Sequence, residues 1–450
     1  MSEADKDNKQ FEFIKEQVIQ KKRKKYKKWL IPFLMTIVMA ILFGLVAAVT
    51  FCIAEPRLYN FFNEEEDVKT PITFPTTYPD EVKEDNQDRE DKQEDNGDAE
   101  QGQADLQREE DQQVDPNPVI VETINADSGD YISIYDDIRT IAYRAKKSLV
   151  TISSIINGRD IFGNPVEKKI TTSGVVFSDE NEELLILVSL DRVKNASSIK
   201  MELTEKLVVD AVLQDYDGEI NLAVISVKQE DIPDTFLNSI TVANLGESYT
   251  IAVGNPIMAL GNPNGYPGSM DTGIITSRGS WASITDNKLD LFNTSIRDNS
   301  NSDGVIVNFK GEIIGVITRT LKKGLNENLN TVIGISKIKP IIAKMANQEP
   351  RIYFGILAED MTEAAKLDHN ILNGVFVNEV KTKSPAFKAG LKSGDIILQI
   401  GEQTITNMNY FNNTISGYQP EDEVIVKIKR TSGTTEKELD LKVTLEEKDK

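Results

Sequence analysis

Two scarce side chains decide what chemistry this chain can perform. Its 450 residues contain one histidine, His369, and one cysteine, Cys52. A serine hydroxyl becomes a nucleophile when a neighbouring base takes its proton, and histidine, which titrates near neutrality, is the side chain best suited to take it and hand it on. Only one such base exists here, in the stretch AAKLDHN, where it is expected to be an exposed loop or helix-end residue. Cys52 lies inside a long apolar run, which leaves a cysteine nucleophile without a pocket. Ligand clusters at zinc spacing are absent. The glycine-containing stretches VGNP and LGNPNG are followed by no Walker lysine, so they read as turns rather than a nucleotide cradle. No cofactor and no metal are expected.

The elements that must position any site fall in distinct zones. Residues 1–28 form a basic leader ending in KKRKKYKK, and residues 29–54 follow with no charged side chain in the run. About 20 apolar residues in a helix span a bilayer, so 29–54 is expected to be a membrane helix. A cleaved signal peptide is the competing reading, opposed by the long polar leader and by the lack of a small-residue cleavage pattern. The basic flank places the N-terminus in the cytoplasm and the globular mass outside, in a single-pass plasma-membrane arrangement. That flank suits anionic lipid, and nucleic acid is not expected as a partner. Residues 55–130 are expected to be a disordered acidic linker. Within it, residues 64–118 hold 20 Asp plus Glu against 5 Lys plus Arg, a composition that repels itself and buries little.

From about residue 131 the texture changes. A helical pattern with Ile138, Ile141, Ala142 and Ala145 on one side gives way to short Val- and Ile-rich runs: TSGVVFS, ELLILVSL, KLVVDAVLQ, NLAVISV, YTIAVG, DTGIITSR, DGVIVNF and EIIGVITR. Many short strands separated by turns predict an all-β double barrel or sandwich, closed by a helix over 338–345. A second unit, 351–446, carries GVFVNEV, DIILQIG, EVIVKIKR and ELDLKVTL with a short helix at SPAFKAG.

Several stretches give these units a family resemblance. VGNPIMALGNPNG (253–265), DTGIITSRG (271–279), NSDGVIVNFKGEIIGV (301–316) and NTVIGISKIKPII (330–342) resemble the trypsin-like double β-barrel of the HtrA (DegP/DegS-like) serine proteases. YFGI (353–356) and GVFVNEVKTKSPAFKAGLKSGDIILQIGEQTI (374–405) resemble the PDZ domain that follows it in that family. The resemblance implies a trypsin-like domain over 131–346, a PDZ domain over 351–446 and, by family analogy, a homotrimer.

Carried across, the family's catalytic serine falls on Ser302, its histidine on Asp191 in LVSLDRV, and its aspartate on Asn221 in NLAV. The oxyanion region falls on Ser300, Asn301 and Asp303. An aspartate, with a pKa of about 3.9, is a weak base toward a serine hydroxyl. Asn221 brings no charge to steady an imidazolium. Asp303 would set a carboxylate where an anion has to form, and Ser300 replaces a turn glycine. Lys310, on the next hairpin, is the one nearby lysine that a Ser–Lys dyad could use.

The PDZ-like unit keeps what binding needs. The resemblance implies that the loop Tyr353-Phe354-Gly355-Ile356 donates backbone N–H groups to a peptide's terminal carboxylate. The following strand would accept the peptide by β-addition, with Phe354, Ile356 and either Ile415 or Phe411 lining a pocket for the last side chain. The expectation is a membrane-anchored extracytoplasmic pseudoprotease that binds polypeptide tails or unfolded segments in envelope quality control or regulation. The alternatives are an unconventional HtrA-type endopeptidase using Ser302, and a structural spacer.

Overall fold

In the computed structural model the described residues are Met35, Met39, 70–74, 127–322, 328–433 and 435–449. The expected membrane helix therefore lies outside them, apart from Met35 and Met39. Among the described residues no helix is long and apolar enough to cross a membrane.

A helix, Ser128–Lys146, leads into the first barrel. Asp127 caps it by accepting from the N–H groups of Gly129 (2.6 Å) and Asp130 (3.1 Å), which satisfies donors that the first turn leaves free. The helix begins inside the stretch expected to be linker. So does a second anchored piece. Ile72, in an apolar island of the acidic run, is 7% exposed; its N–H donates to Asn347 Oδ1 (2.9 Å), and its carbonyl accepts from Asn347 Nδ2 (3.0 Å). Phe74 packs on Phe177 with ring centroids 6.1 Å apart. Residues 70–74 are thus anchored, because they have apolar area to bury.

The first barrel closes in the order β1-β2-β3-β6-β5-β4, from β1 (Leu149–Arg159), β2 (Pro165–Ser178), β3 (Glu183–Ser189), β4 (Ser198–Glu202), β5 (Val208–Asp217) and β6 (Leu222–Lys228). The second closes as β10-β11-β12-β9-β8-β7, from β7 (Pro256–Asn262), β8 (Ser269–Ile284), β9 (Asn287–Arg297), β10 (Asp303–Asn308), β11 (Ile313–Thr318) and β12 (Leu329–Gly334). Both are antiparallel throughout, and closure leaves no free sheet edge. One core cluster draws Val175, Leu187 and Leu222 from the first barrel and Met258, Leu260 and Val305 from the second, together with Ile338 and Ile342 of the closing helix Ile335–Asn347.

Two expectations shift. YTIAVG does not form a strand: the Asn255 side chain accepts from Ala252 N (2.7 Å) and Gly254 takes φ 89°, so the chain turns there and the strand starts at Pro256. Strand β9 was not among the expected runs, since its Asn, Asp, Thr and Ser residues mask an alternation that buries Leu289, Leu291 and Ile296.

The C-terminal unit has β13 (Ile352–Tyr353) paired with β20 (Glu446–Glu447), and a sheet in the order β14-β15-β16-β18-β19, with β17 on β16. Its strands are β14 (Ile356–Asp360), β15 (Val375–Val380), β16 (Ile396–Ile400), β17 (Gln403–Thr404), β18 (Glu423–Ser432) and β19 (Thr435–Thr444). A helix, Met408–Ser416, packs Met408, Phe411 and Ile415 into this unit's core. It is absent from the sequence expectation, although Asn407 is a good cap, accepting from Asn409 N (2.9 Å) and Tyr410 N (3.1 Å), and the three apolar residues fall at helical spacing.

Candidate functional site

Three element ends meet at the position where the resemblance places a triad. Asp191 stands on the short helix Leu190–Val193 that ends β3, Asn221 immediately precedes β6, and Ser302 immediately precedes β10. Asn221 takes φ 57°, and its own carbonyl accepts from Leu190 N (3.0 Å). That fold-back brings the two side chains together: Asn221 Oδ1 accepts from Asp191 N (2.9 Å), and Asn221 Nδ2 donates to Asp191 Oδ1 (3.3 Å). The remaining carboxylate oxygen, Asp191 Oδ2, pairs with Arg319 at 2.5 Å. The same guanidinium also donates to the Ser300 carbonyl. Where a base and its orienting acid would sit, there is an Asp–Asn pair neutralised by an arginine.

Ser302 is 1% exposed, and its hydroxyl is committed. Oγ donates to the Pro263 carbonyl (2.6 Å) and accepts from Asn299 N (3.0 Å). The N–H groups of the loop are also in use: Ser302 N donates to Asn299 O (3.0 Å), and Asn301 N to Asn299 Oδ1 (2.7 Å). An oxyanion site needs such donors aimed at an incoming oxygen. Here the loop turns the Asn301 and Ser302 donors on itself. Asn299, which sequence reasoning passed over, organises this closure. Ser300 and Asn301 are exposed.

Asp303 is buried rather than set at the loop surface. Its Oδ2 accepts from Thr172 Oγ1 of β2 (2.8 Å) and lies 3.5 Å from Arg192 Nε. Burial pushes its carboxyl above the usual range, against the hydrogen bond from Thr172 and the charge of Arg192. Its neighbour Gly304 takes φ 117°, and a Cβ there would come within 2.3 Å of the Leu260 carbonyl, so glycine is required for β10 to lie on β7. Lys310 is an exposed hairpin residue. His369 caps the helix Glu363–Asp368 and contacts Glu436 through Nδ1 at 2.9 Å.

The second set of expected residues forms a preorganised cradle. Phe354, Gly355 and Ile356 precede or open β14 and are buried, while Tyr353 is half-buried. The carbonyl of Phe354 accepts from Ala386 N (2.9 Å), and that of Gly355 from Lys381 N (2.9 Å) and Ser384 Oγ (3.2 Å). With their carbonyls held behind, the N–H groups of 354–356 point the other way, as successive donors in a small concave nest. Gly355 takes φ 94°, and a Cβ there would meet Ser384 Cβ at 2.1 Å. Phe354 and Phe411 pack edge to face, 5.4 Å between centroids. With Ile356 and Ile415 they belong to the buried apolar core on which the cradle rests.

Residues 170–316 match the model of the trypsin-like peptidase domain, and 354–445 match that of the PDZ domain. The chain is 31% identical to a "Probable periplasmic serine endoprotease DegP-like" of Rickettsia prowazekii, over 58% of this chain and 51% of that one. It is 28% identical to "Serine protease Do-like HtrA" of Bacillus subtilis, over 62% of this chain and 64% of the relative. It thus spans between half and two thirds of the length of these curated relatives. Among solved structures it resembles "HtrA-type protease AlgW with tripeptide", with a TM-score of 0.51 at 20% identity, covering 69% of this chain and 97% of that one. Two closed six-stranded barrels of trypsin-like type followed by a PDZ domain, as in HtrA-type serine proteases, describe the globular part.

Proposed function

We propose that this chain is an HtrA-like pseudoprotease, which binds polypeptide tails or unfolded segments at the cell envelope and does not cleave them. The observation that carries this reading is the Asp191–Asn221–Arg319 arrangement beside a serine whose proton is held by the Pro263 carbonyl. To attack a carbonyl, Ser302 would have to give its proton to a carboxylate already paired with Arg319, and a carboxylate is a weak base toward a serine hydroxyl. The transition state would also find the Ser302 N–H engaged by the Asn299 carbonyl. Loss of the base and of the oxyanion donors removes terms that do not act independently.

The binding half of the reading rests on the nest at 354–356 and its apolar core. Peptide-bound structures of relatives, such as the HtrA-type protease crystallised with a tripeptide, support a polypeptide as the ligand class. The membrane anchor over 29–54, the extracytoplasmic placement of the globular part and a trimeric assembly belong to the same proposal.

Incubating the full chain in detergent with reduced, unfolded casein tests it. The expected outcome is a complex recovered by sedimentation with the casein intact on a gel. Fragments that are missing with Ser302→Ala would overturn the proposal in favour of an unconventional endopeptidase.

A further inference from the structure

The carboxylate nest of the PDZ unit is already occupied, and its occupant comes from the same chain. Asp286 sits at the tip of the β8–β9 hairpin, where Ile284 pairs with Asn287. Its carboxylate accepts from all three nest donors. Phe354 N lies 2.8 Å from Oδ2, Gly355 N lies 2.8 Å from Oδ1 and 2.9 Å from Oδ2, and Ile356 N lies 2.9 Å from Oδ1. The mimicry extends to the backbone. Asp286 N donates to the Ile356 carbonyl (2.9 Å), as the last residue of an added strand would, and Ser283 Oγ donates to the Ala358 carbonyl (2.9 Å) further along the same edge. Strand β14 is at the edge of its sheet, so these contacts fall where an incoming peptide would pair. The groove helix closes over the back through Asn412 Nδ2, which donates to the Asp286 carbonyl (3.1 Å).

Two features argue that this contact is more than incidental packing. Asp286 is 3% exposed, and a carboxylate taken out of water to that degree is costly unless donors replace the water. It also holds φ 61°, a left-handed conformation that glycine adopts without strain. A glycine would serve the hairpin better, yet the chain places there a side chain that matches the nest donor for donor.

Resting on the peptide-binding reading above, we infer that Asp286 is a resident surrogate for a C-terminal carboxylate, so that the PDZ groove is self-occupied and a free polypeptide terminus binds by displacing the β8–β9 hairpin. A tethered ligand competes at an effective concentration of about millimolar. The apparent affinity of an external tail is reduced by the fraction of molecules in which the groove is open. The specificity that follows is for a free α-carboxylate on an apolar C-terminal residue, since the nest rests on the apolar core of Phe354, Ile356, Phe411 and Ile415. The barrel's own hairpin would thereby report groove occupancy to the barrel.

The test uses the full chain in detergent and an equimolar pool of fluorescein-labelled decapeptides ending in Val, Leu, Ile or Phe, each as the free acid and as the C-terminal amide. Asp286→Gly removes the carboxylate while keeping a residue suited to φ 61°. Asp286→Asn keeps the shape and serves if the glycine variant melts early. Amide hydrogen exchange at 354–356 reads the latch independently of any peptide. The expected result is faster exchange at those three amides in both variants, with free-acid peptides bound at least about tenfold more tightly than by the wild type, about 1.4 kcal/mol, and no gain for the amides. Tight, acid-selective binding by the wild type that is unchanged in the variants would overturn the inference while leaving the peptide-binding reading intact. Unchanged exchange at 354–356 would overturn it as well. Faster exchange with no binding of any acid peptide would sink the peptide-binding reading, and the surrogate role with it.

Discussion

Asp286 shows how burial and hydrogen bonding divide the control of one carboxyl. Burial pushes it up to about 6, while the N–H groups of Ile356, Gly355 and Phe354 and the charge of Lys448 pull it down. Released into water it would titrate near about 3.9. The docked hairpin therefore holds more protons than the released one between those values, and docking is strongest at the acid end. Raising the pH from about 4 to about 6 weakens the latch, and above that window the effect is complete. The other charged or titratable groups around the site, Glu219, Asp217, Arg351, Lys344 and Tyr353, remain in Asp286→Gly, which isolates the carboxyl. Binding of free-acid peptides by the wild type should strengthen across that pH range relative to Asp286→Gly; an identical pH profile for both would count against the assignment. Ser302 makes a second residue-level prediction. Its hydroxyl joins the Pro263 carbonyl to Asn299 N, so Ser302→Ala removes both bonds, leaves the buried Pro263 carbonyl unpaired and should cost about 1–3 kcal/mol in denaturant unfolding without altering peptide affinity. That Asp191 and Asn221 come together was legible in the sequence through the words LVSLDRV and NLAV, which set both at the ends of paired strands. Asp286 was not, because an aspartate in a hairpin reads as turn chemistry until the loop that it faces is known.

Elements rather than single residues set the contact between the two barrels and the PDZ unit. The β8–β9 hairpin supplies Asp286, Thr285 and Lys288; the β5–β6 turn supplies Asp217 and Glu219. Thr285 Oγ1 donates to Glu219 Oε1 (2.7 Å), Glu219 pairs with Lys448 (2.6 Å), and Lys288 pairs with Asp360 (2.7 Å). Arg351, at the junction, pairs with Asp217 (3.0 Å) and donates to the Tyr216 carbonyl (2.7 Å). Removing one partner of a buried pair strands the other charge, so Arg351→Ala should destabilise by about 3–5 kcal/mol, read as a lowered thermal midpoint. The same β5–β6 turn ends at Asn221, so the PDZ contacts and the Asp191–Asn221 pair share one short segment. Strand runs dense in Val and Ile were readable because burial on both faces gives continuous apolar words. Strand β9 and the helix Met408–Ser416 were less so, since their partly exposed faces dilute the pattern with Asn, Thr and Ser.

At the scale of the whole chain, charge separates the parts. The acidic run that holds most of the net charge of −21 sits between the basic leader and the folded units, and its described residues, 70–74, are held through Ile72 and Asn347. Deleting residues 1–54 should move the protein from the membrane pellet to the soluble fraction; persistence in the pellet would contradict anchoring by 29–54. The central claim is that a protease frame here binds without cutting, and the most direct measurement is labelling of the full chain by a serine-directed fluorophosphonate, with Ser302→Ala alongside. The account predicts no labelling of either protein, because the Ser302 proton is held by Pro263 and no base stands ready to take it. Stoichiometric labelling of the wild type that disappears in Ser302→Ala would contradict it and mark the chain as an active enzyme.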